Sequence, residues 1–231
     1  MSQEERAQAV REMFSRIAPN YDRLNHLLSF GTDRSWREAA VRAALAHHPQ
    51  RILDLATGTG DLALLLKRRA PEAMVTGADF TPAMLALARQ KAQAQGLEVE
   101  WTEADALHLP FADASFDVVT TAFGFRNFAD YRQALREIHR VLRPGGRFCL
   151  LELSPPPSGP FGFVYRAYFH KLLPLLGGLL ARNLEAYRYL PTSVDRFPPP
   201  PQLKELMEQE GFRTHYQLLS WGIAALHIGE V

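Results

Sequence analysis

The sequence predicts an α/β fold in which a mostly parallel, seven-stranded sheet carries helices on both faces. Apolar segments of strand length alternate with helical patterns from residue 51 to residue 153, which is the arrangement of βαβ units. A glycine turn, Gly58-Thr59-Gly60, directly follows the first strand. Two further strand candidates follow at the end of the chain, and we expect them to pair as a hairpin. We therefore expect a single domain spanning residues 1–231.

Two helices are predicted before the sheet, in an N-terminal helical cap of about residues 1–48. Apolar residues recur at helical spacing within 3–17, so this segment is expected to be an amphipathic helix that ends before Pro19. Thr32 or Asp33 is the expected N-cap of a second helix, which ends shortly before the first strand.

Strands and helices then alternate in a regular order. They are strand 51–56, helix 60–69, strand 74–79, helix 82–95, strands 98–102 and 116–122, helix 130–142 and strand 147–153. We expect Arg143-Pro144-Gly145-Gly146 to form a turn before the last of these strands, because proline stops a helix and glycine accepts a positive φ.

The alternation stops after residue 153. Proline-rich runs at 154–160 and 197–202 bracket an aromatic and apolar insert, for which we expect a helical lid over about 155–200. A short helix at 202–210 and the strands 213–220 and 223–229 complete the fold. The most apolar run of the insert, residues 172–181, is about half as long as a bilayer crossing requires, so no membrane span is expected.

The composition excludes several classes of partner and location. The 26 basic and 25 acidic side chains nearly cancel, so we expect no general nucleic-acid surface. The single cysteine, Cys149, cannot form an internal disulfide and reads as a buried thiol of a cytoplasmic protein. The first ten residues carry charges where a secretion signal needs an apolar stretch. The eight histidines are scattered, so no metal site is predicted.

The glycine turn is compatible with two cofactor classes, or with no ligand at all. Gly58-x-Gly60-x-x-Ala63 matches a variant of the dinucleotide fingerprint, and Asp79 lies 79 − 60 = 19 residues further on, where an acid would bind ribose hydroxyls. S-adenosylmethionine, whose ribose is held by a similar acid, is the second class. The pattern of glycines alone does not distinguish these interpretations.

Three features favour S-adenosylmethionine. Asp54 lies inside the first strand, where a carboxylate is costly to bury unless it receives hydrogen bonds or faces a cation such as a sulfonium. Asp105-Ala106 follows the third strand, where a carboxylate can accept from an adenine amino group. The closing hairpin is also typical of methyltransferases. Asp54 and Asp105 could instead cap loops.

Several motifs resemble those of one enzyme family. They are ILDLATGTGDLA, GADFTPAMLALA, REIHRVLRPGGRF, YDRLNHLLSFGTDRSWR, FGFRNF and YRYLPTSVDRFP. Together they resemble the class I methyltransferases of ubiquinone and menaquinone biosynthesis, which have a Rossmann-like fold. Pro191-Thr192 is more similar to the demethylmenaquinone branch than to the dual-quinone members, which tend to carry Ala-Glu there. A dual-quinone enzyme stays an alternative, and an NAD(P)-binding oxidoreductase a more distant one.

The resemblance implies both a reaction and a cofactor site. The reaction is methyl transfer from S-adenosylmethionine to a ring carbon of reduced demethylmenaquinone, which gives menaquinol. The quinol can lose a hydroxyl proton, and the resulting naphtholate can attack the methyl group through its ring carbon. The residues expected to contact the cofactor are Thr59, Asp79, Asp105 and Ala106, while Gly58 and Gly60 shape the loop.

Arg126 and Asn127, just after the fourth strand, are the first candidates for holding the quinol oxygen. A structural salt bridge is the alternative for Arg126. Tyr21 is a further candidate for the catalytic site. The general base is left open, as a water molecule or one of four histidines: His26, His139, His170 and His227.

The expected partner is a lipophilic quinol, demethylmenaquinol. Such a substrate resides in lipid, so we expect the lid to contact the inner face of the cell membrane peripherally. Core packing or a homodimer contact is the alternative use of the insert.

Overall fold

The computed structural model describes residues 3–18, 22, 26, 29–155, 160–172 and 184–231. Its strands are β1 (Arg51–Leu55), β2 (Met74–Asp79), β3 (Glu100–Glu103), β4 (Phe116–Ala122), β5 (Leu142–Leu153), β6 (Arg213–Leu219) and β7 (Ala224–Glu230). They form one seven-stranded sheet in the order β3-β2-β1-β4-β5-β7-β6. β7 is antiparallel to both neighbours and the other pairs are parallel. This confirms the predicted mostly parallel sheet and its closing hairpin.

The described helices are α1 (Gln3–Ile17), α2 (Thr32–Leu45), α3 (Asp61–Arg69), α4 (Pro82–Ala94), α5 (Tyr131–Val141), α6 (Pro160–Ala167), α7 (Leu184–Asp195) and α8 (Pro200–Gln209). A π-helical stretch, Tyr168–Leu172, continues α6. None of them is long and apolar enough to cross a bilayer.

Helices cover both faces of the sheet, and successive strand residues therefore enter two different cores. On one face Leu53 and Val119 pack with buried residues of α5 and α8. On the other face Ile52, Val118 and Cys149 pack with buried residues of α2 and α3. Because both faces are buried, buried residues follow one another along the central strands instead of alternating with exposed ones, as is usual in parallel sheets.

Two local predictions were wrong. The N-cap of α2 is Gly31 at φ 74°, because the Asp33 side chain bonds inward to Arg37 and His26. The expected turn at 143–146 belongs to β5 as an irregularity of register. Between successive paired positions β4 advances 118 − 116 = 2 residues while β5 advances 147 − 142 = 5.

The turn between β6 and β7 lies at the carboxyl end of β5. Ala224 pairs with Leu153 at the last position of β5, and the Ser154 amide donates to the Ile223 carbonyl at 2.9 Å. The backbone of this turn is left-handed at three successive residues, which are Ser220 at φ 46°, Trp221 at φ 57° and Gly222 at φ 89°.

Part of the predicted insert lies outside the described residues, namely 156–159 and 173–183. The described part contains α6, the π-helical stretch and α7. It forms a third apolar cluster with α1, in which Met13, Phe169 and Val194 are buried together. The N-terminal helix and the insert therefore pack against each other.

Candidate active site

The candidate site is a cavity at the carboxyl ends of the parallel strands. β1 pairs with β2 on one side and with β4 on the other, so the strand order reverses here, and doubly wound sheets bind ligands at such a point. The cavity has about 890 Å³ of empty space, a figure that includes the open solvent at its mouth. Residues of α1 and of the segments after β1, β2, β3 and β4 line it.

The glycine turn presents backbone to the cavity. Gly58 lines the cavity at φ 57°, and a Cβ added to it would meet nothing within 4 Å, so the space in front of this residue is open. Gly60 adopts φ 84°, and a Cβ there would lie 2.7 Å from the Trp101 ring. Gly60 is therefore required for both conformation and packing.

Asp79, the last residue of β2, lines the cavity beside this turn and is only 8% exposed. Its Oδ2 accepts from the Gly58 amide and its Oδ1 from the Thr81 amide, each at 2.8 Å. Burial raises the pKa of the Asp79 carboxyl, while these amide donors act in the opposite direction. Each carboxylate oxygen can accept a second bond, so Asp79 can hold a diol.

Asp105 and Ala106 line the cavity after β3. The Asp105 side chain is 59% exposed, and its Oδ1 accepts from the Leu107 amide at 2.9 Å. This bond fixes the turn and leaves the rest of the carboxylate accessible. Ala106 is 8% exposed and adds an apolar contact surface.

Thr59 and Gly60 are not among the residues that line the cavity. The Thr59 hydroxyl donates to Asp22 Oδ1 at 2.5 Å, and Lys91 Nζ from α4 contacts Asp22, Thr59 and Asp61. Lys91 thus holds the glycine turn from behind and joins it to residue 22. No sequence signal indicates this role, because Lys91 is one of several polar residues on α4.

Asn127 lines the cavity on the side of β4. It ends a 3-10 turn, Phe125–Asn127, that begins just after the strand. Its Oδ1 accepts from the Tyr189 hydroxyl of α7 at 3.0 Å. The bond orients the side chain, and the two N–H groups of the Asn127 amide nitrogen can donate to a ligand.

Arg126 is buried next to Asn127 and does not line the cavity. Its Nη1 lies 2.7 Å from Glu152 Oε1, with the two side chains 6% and 1% exposed. Its Nε donates to Ser193 Oγ of α7 at 3.2 Å, and Nη1 also donates to the Phe123 carbonyl. The structure thus contains the salt bridge that the sequence left as the alternative, and Glu152 is its unpredicted partner.

Tyr21 lies outside the described residues, and the four histidines lie away from the cavity lining. His26 bonds to Asp33 at 2.9 Å, His139 packs on Phe212, and His170 lies 3.4 Å from Asp195. His227 is buried with Nε2 3.0 Å from the Pro200 carbonyl. The geometry assigns none of them as the base.

One wall of the cavity comes from α1. Val10 and Phe14 line it together with Asp79 and Asp105. Arg11 fixes the helix from outside the cavity, through an ion pair of 2.7 Å with Glu103 and a position 5.7 Å above the Phe80 ring. The sequence predicted α1 but not its place over the cavity.

Asp54 is 1% exposed and is not part of the cavity lining. The hydroxyls of Thr57 and Thr120 donate to it at 2.6 and 2.8 Å. Burial raises its pKa to about 6. These bonds support the alternative in which Asp54 fixes the loop after β1.

Comparison with known proteins decides what kind of enzyme has this site. The model of the ubiE/COQ5 methyltransferase family matches residues 1–230. The chain belongs to this family. The resemblance inferred from the motifs is thereby confirmed, and of the two cofactor classes left open by the glycine turn, S-adenosylmethionine is the one used.

Two curated relatives of this ubiE/COQ5 methyltransferase cover nearly its whole length. A demethylmenaquinone methyltransferase of Thermus thermophilus is 63% identical over 94% of this chain and 99% of its own. One of Deinococcus radiodurans is 57% identical, over 98% and 94%. Among solved structures, a methyltransferase of Thermotoga maritima described as S-adenosylmethionine-dependent has a TM-score of 0.65 at 20% identity, over 95% and 98%. This last likeness confirms the predicted class I fold.

Proposed function

We propose that this methyltransferase acts on reduced demethylmenaquinone and converts it to menaquinol. The family match over residues 1–230 and the names of the relatives at 63% and 57% identity carry the proposal. The cavity at the strand ends supplies a site lined by apolar side chains and a few polar groups.

Four of the six predicted residues line the cavity, and we propose that they form the cofactor end of the site. In our proposal Asp79 accepts from the ribose hydroxyls, Asp105 accepts from the adenine amino group, and Gly58 and Ala106 provide surfaces for close contact. Thr59 and Gly60 support the turn from behind. When bound, S-adenosylmethionine supplies an electrophilic methyl group.

The acceptor end is the segment after β4. Phe123, Gly124 and Phe128 line the cavity there, and aromatic rings suit the flat face of a naphthoquinol. We propose that the amide nitrogen of Asn127 donates to a quinol oxygen and so steadies the charge that develops when the ring carbon attacks.

Arg126 stays a catalytic candidate, acting from behind Asn127. Its side chain joins the 3-10 turn to β5 through Glu152 and to α7 through Ser193. The proposal is therefore that Arg126 fixes the position of Asn127 against the insert, with a direct contact to the quinol oxygen as the stronger form of the same hypothesis. The role of Tyr21 stays a prediction.

The location and assembly predictions also stay proposals. We propose that the part of the insert carried by α6 and α7 covers the acceptor end, and that the protein meets the membrane peripherally at the inner face. A homodimer is the alternative use of the same apolar surface, and sedimentation equilibrium would detect it.

The direct test is methyl transfer from labelled cofactor to two reduced acceptors. We expect turnover with demethylmenaquinol and at least about a hundredfold lower kcat/KM with a methoxy-benzoquinol, because acceptors of different ring size fill the same pocket differently. Comparable rates with both acceptors would establish the dual-quinone alternative. No transfer to either acceptor by protein that binds S-adenosylhomocysteine would overturn the proposal.

A further inference from the structure

Three large aromatic side chains stand out from the surface on three different segments. Phe30 is 77% exposed, Phe163 is 73% exposed and Trp221 is 82% exposed. Phe30 precedes α2, Phe163 belongs to α6, and Trp221 lies in the turn between β6 and β7. Single exposed apolar residues need no explanation, but their shared location does.

All three residues lie at the end of the sheet that carries the cavity. The turn with Trp221 is at the carboxyl end of β5, as the bond from Ser154 to Ile223 shows. The start of α2 is beside this turn, because Trp36 Nε1 donates to Ser220 Oγ at 2.9 Å. Phe30 lies one residue before the Gly31 cap of the same helix.

Phe163 joins the group through α6 and its π-helical continuation. The Tyr168 ring lies 5.5 Å from the Phe30 ring. Phe163 is 168 − 163 = 5 residues before Tyr168, so it is less than two helical turns away. The three exposed rings therefore belong to neighbouring segments around one end of the molecule. We call them the aromatic rim.

The backbone at two of the three positions is left-handed. Phe30 has φ 51° and Trp221 has φ 57°. Bulky residues other than glycine seldom adopt this conformation, which costs on the order of 1 kcal/mol or more. The local fold therefore loses stability at two places where it directs an apolar ring into water. Such a cost is expected where the exposed ring has a function.

The charges of these segments complement an anionic surface. Residues 29–37, 160–170 and 218–224 contain three arginines, which are Arg34, Arg37 and Arg166. They contain a single acid, Asp33, which is 8% exposed and paired with Arg37. Arg34 and Arg166 are exposed. Aromatic rings with flanking arginines are the side chains that suit the headgroup region of an anionic bilayer.

We propose that Phe30, Phe163 and Trp221 enter the headgroup region of an anionic membrane and hold the cavity against the lipid that contains the acceptor. The inference rests on the proposed function, because a lipophilic quinol makes the bilayer the place where substrate is collected. It extends the contact beyond the insert, since Phe30 and Trp221 belong to other parts of the chain.

The test uses a variant that keeps the backbone intact. Phe30→Asn and Trp221→Asn suit left-handed positions, since asparagine tolerates them, and Phe163→Gln preserves a helix. The control is Met74→Gln, because Met74 is 54% exposed at the first residue of β2, at the opposite end of the sheet. Circular dichroism and thermal melting would establish that both variants fold.

Binding is measured by co-sedimentation with vesicles of phosphatidylcholine, with and without phosphatidylglycerol. We expect the parent protein and Met74→Gln to bind the anionic vesicles, and the triple variant to bind at least about tenfold more weakly. Equal binding by the triple variant, or no binding by the parent protein, would contradict the proposal that the aromatic rim enters the membrane. A parent dimer that the triple variant loses, without any vesicle binding, would assign the rings to a contact between copies.

Activity separates this inference from the proposed function. The triple variant should methylate a tail-less reduced naphthoquinone in solution at the parental rate, and should lose at least about tenfold with demethylmenaquinol in vesicles. Failure of the parent protein with both acceptors contradicts the proposed function, while its vesicle binding still tests the rim. Equal losses with both acceptors would show damage to the site and overturn the rim as a purely lipid-contacting element.

Discussion

Among single residues, Asp79 is the one on which the proposed cofactor site most depends. Its carboxylate holds the Gly58 and Thr81 amides and faces the cavity. We expect Asp79→Asn to weaken S-adenosylhomocysteine binding about ten- to a hundredfold, because a hydrogen bond to a buried charged group is worth roughly 1.5–3 kcal/mol. Titration calorimetry measures the change.

Asp113→Asn is the matched control for this substitution. Its carboxylate is 79% exposed and pairs with Arg140 away from the cavity. Its affinity should equal that of the parent protein. A folded Asp79→Asn protein with unchanged affinity would remove Asp79 from the proposed cofactor site.

The buried pair of Arg126 and Glu152 requires a double substitution to separate stability from catalysis. Arg126→Met alone leaves the Glu152 carboxylate buried without its cation, and should lower the free energy of unfolding by about 3–5 kcal/mol. Adding Glu152→Gln should restore most of that loss, as urea denaturation can show.

If Arg126 also supports the reaction, the stable double variant should bind S-adenosylhomocysteine normally and transfer methyl groups about a hundredfold more slowly. The measurement is single-turnover transfer at saturating cofactor. Full activity in that variant would show that Arg126 has a structural role alone. Asn127 would then be the proposed contact to the acceptor without support from Arg126.

The sequence predicted the residues whose spacing from a strand end is fixed by the fold. Asp79, Asp105 and Asn127 each follow or end a strand, and all three line the cavity. Glu152 could not be found in this way. It lies in an apolar strand, and its role depends on the ion pair with Arg126, which is 152 − 126 = 26 residues away in the chain. Lys91 was missed because its partners Asp22, Thr59 and Asp61 are also far from it in the chain.

At the scale of elements, α1 has the most specific consequence. Because Val10 and Phe14 form a wall of the cavity, a bound cofactor should hold the helix in place. We expect S-adenosylhomocysteine to slow amide hydrogen exchange in residues 6–17 by at least about tenfold. Mass spectrometry of peptides from this region measures the effect.

Helix α8 serves as the internal reference for that experiment. It packs on β6 and β7 and contributes nothing to the described lining of the cavity. Exchange in residues 201–209 should stay unchanged. Equal slowing in α1 and α8 would indicate global stabilisation by ligand, and unchanged exchange in α1 would contradict its place as a wall.

Most element boundaries followed from periodicity and glycine or proline signals. α1, β2 and β4 have the predicted limits. The errors occurred where tertiary contacts override local signals. Asp33 was unavailable as a cap because it bonds to Arg37 and His26. The expected turn at 143–146 is held within β5, since the Gly145 amide donates to the Val231 carbonyl.

For the whole molecule, His227 makes stability depend on pH. It is 1% exposed in β7, and burial lowers its pKa from 6.5 to about 4. Between these values the unfolded chain binds a proton that the folded protein excludes. Stability should therefore fall as pH decreases from 6.5 and should be constant, for this group, above 6.5.

The comparison is made between the parent protein and His227→Gln, because Asp54 acts in the opposite direction. Burial raises the pKa of Asp54 from 3.8 to about 6, so its cost to stability decreases as pH falls through that range. The difference between the free energies of unfolding of the two proteins does not contain the contribution of Asp54, because both proteins have this residue. Between pH 7 and pH 5 the parent should lose about 2 kcal/mol more than His227→Gln in urea denaturation. An equal pH dependence would place His227 in contact with water.

Helix α1 contacts both the cavity proposed for the cofactor and the insert proposed to cover the acceptor. Val10 and Phe14 face the cavity, while Met13 packs with Phe169 and Val194 of the insert. In the proposed arrangement, a movement of α1 that opens the cofactor end would also remove the packing surface of the insert over the acceptor end. We therefore expect the two ends of the site to open together, so that exchange of the cofactor and release of the methylated acceptor depend on the same helix.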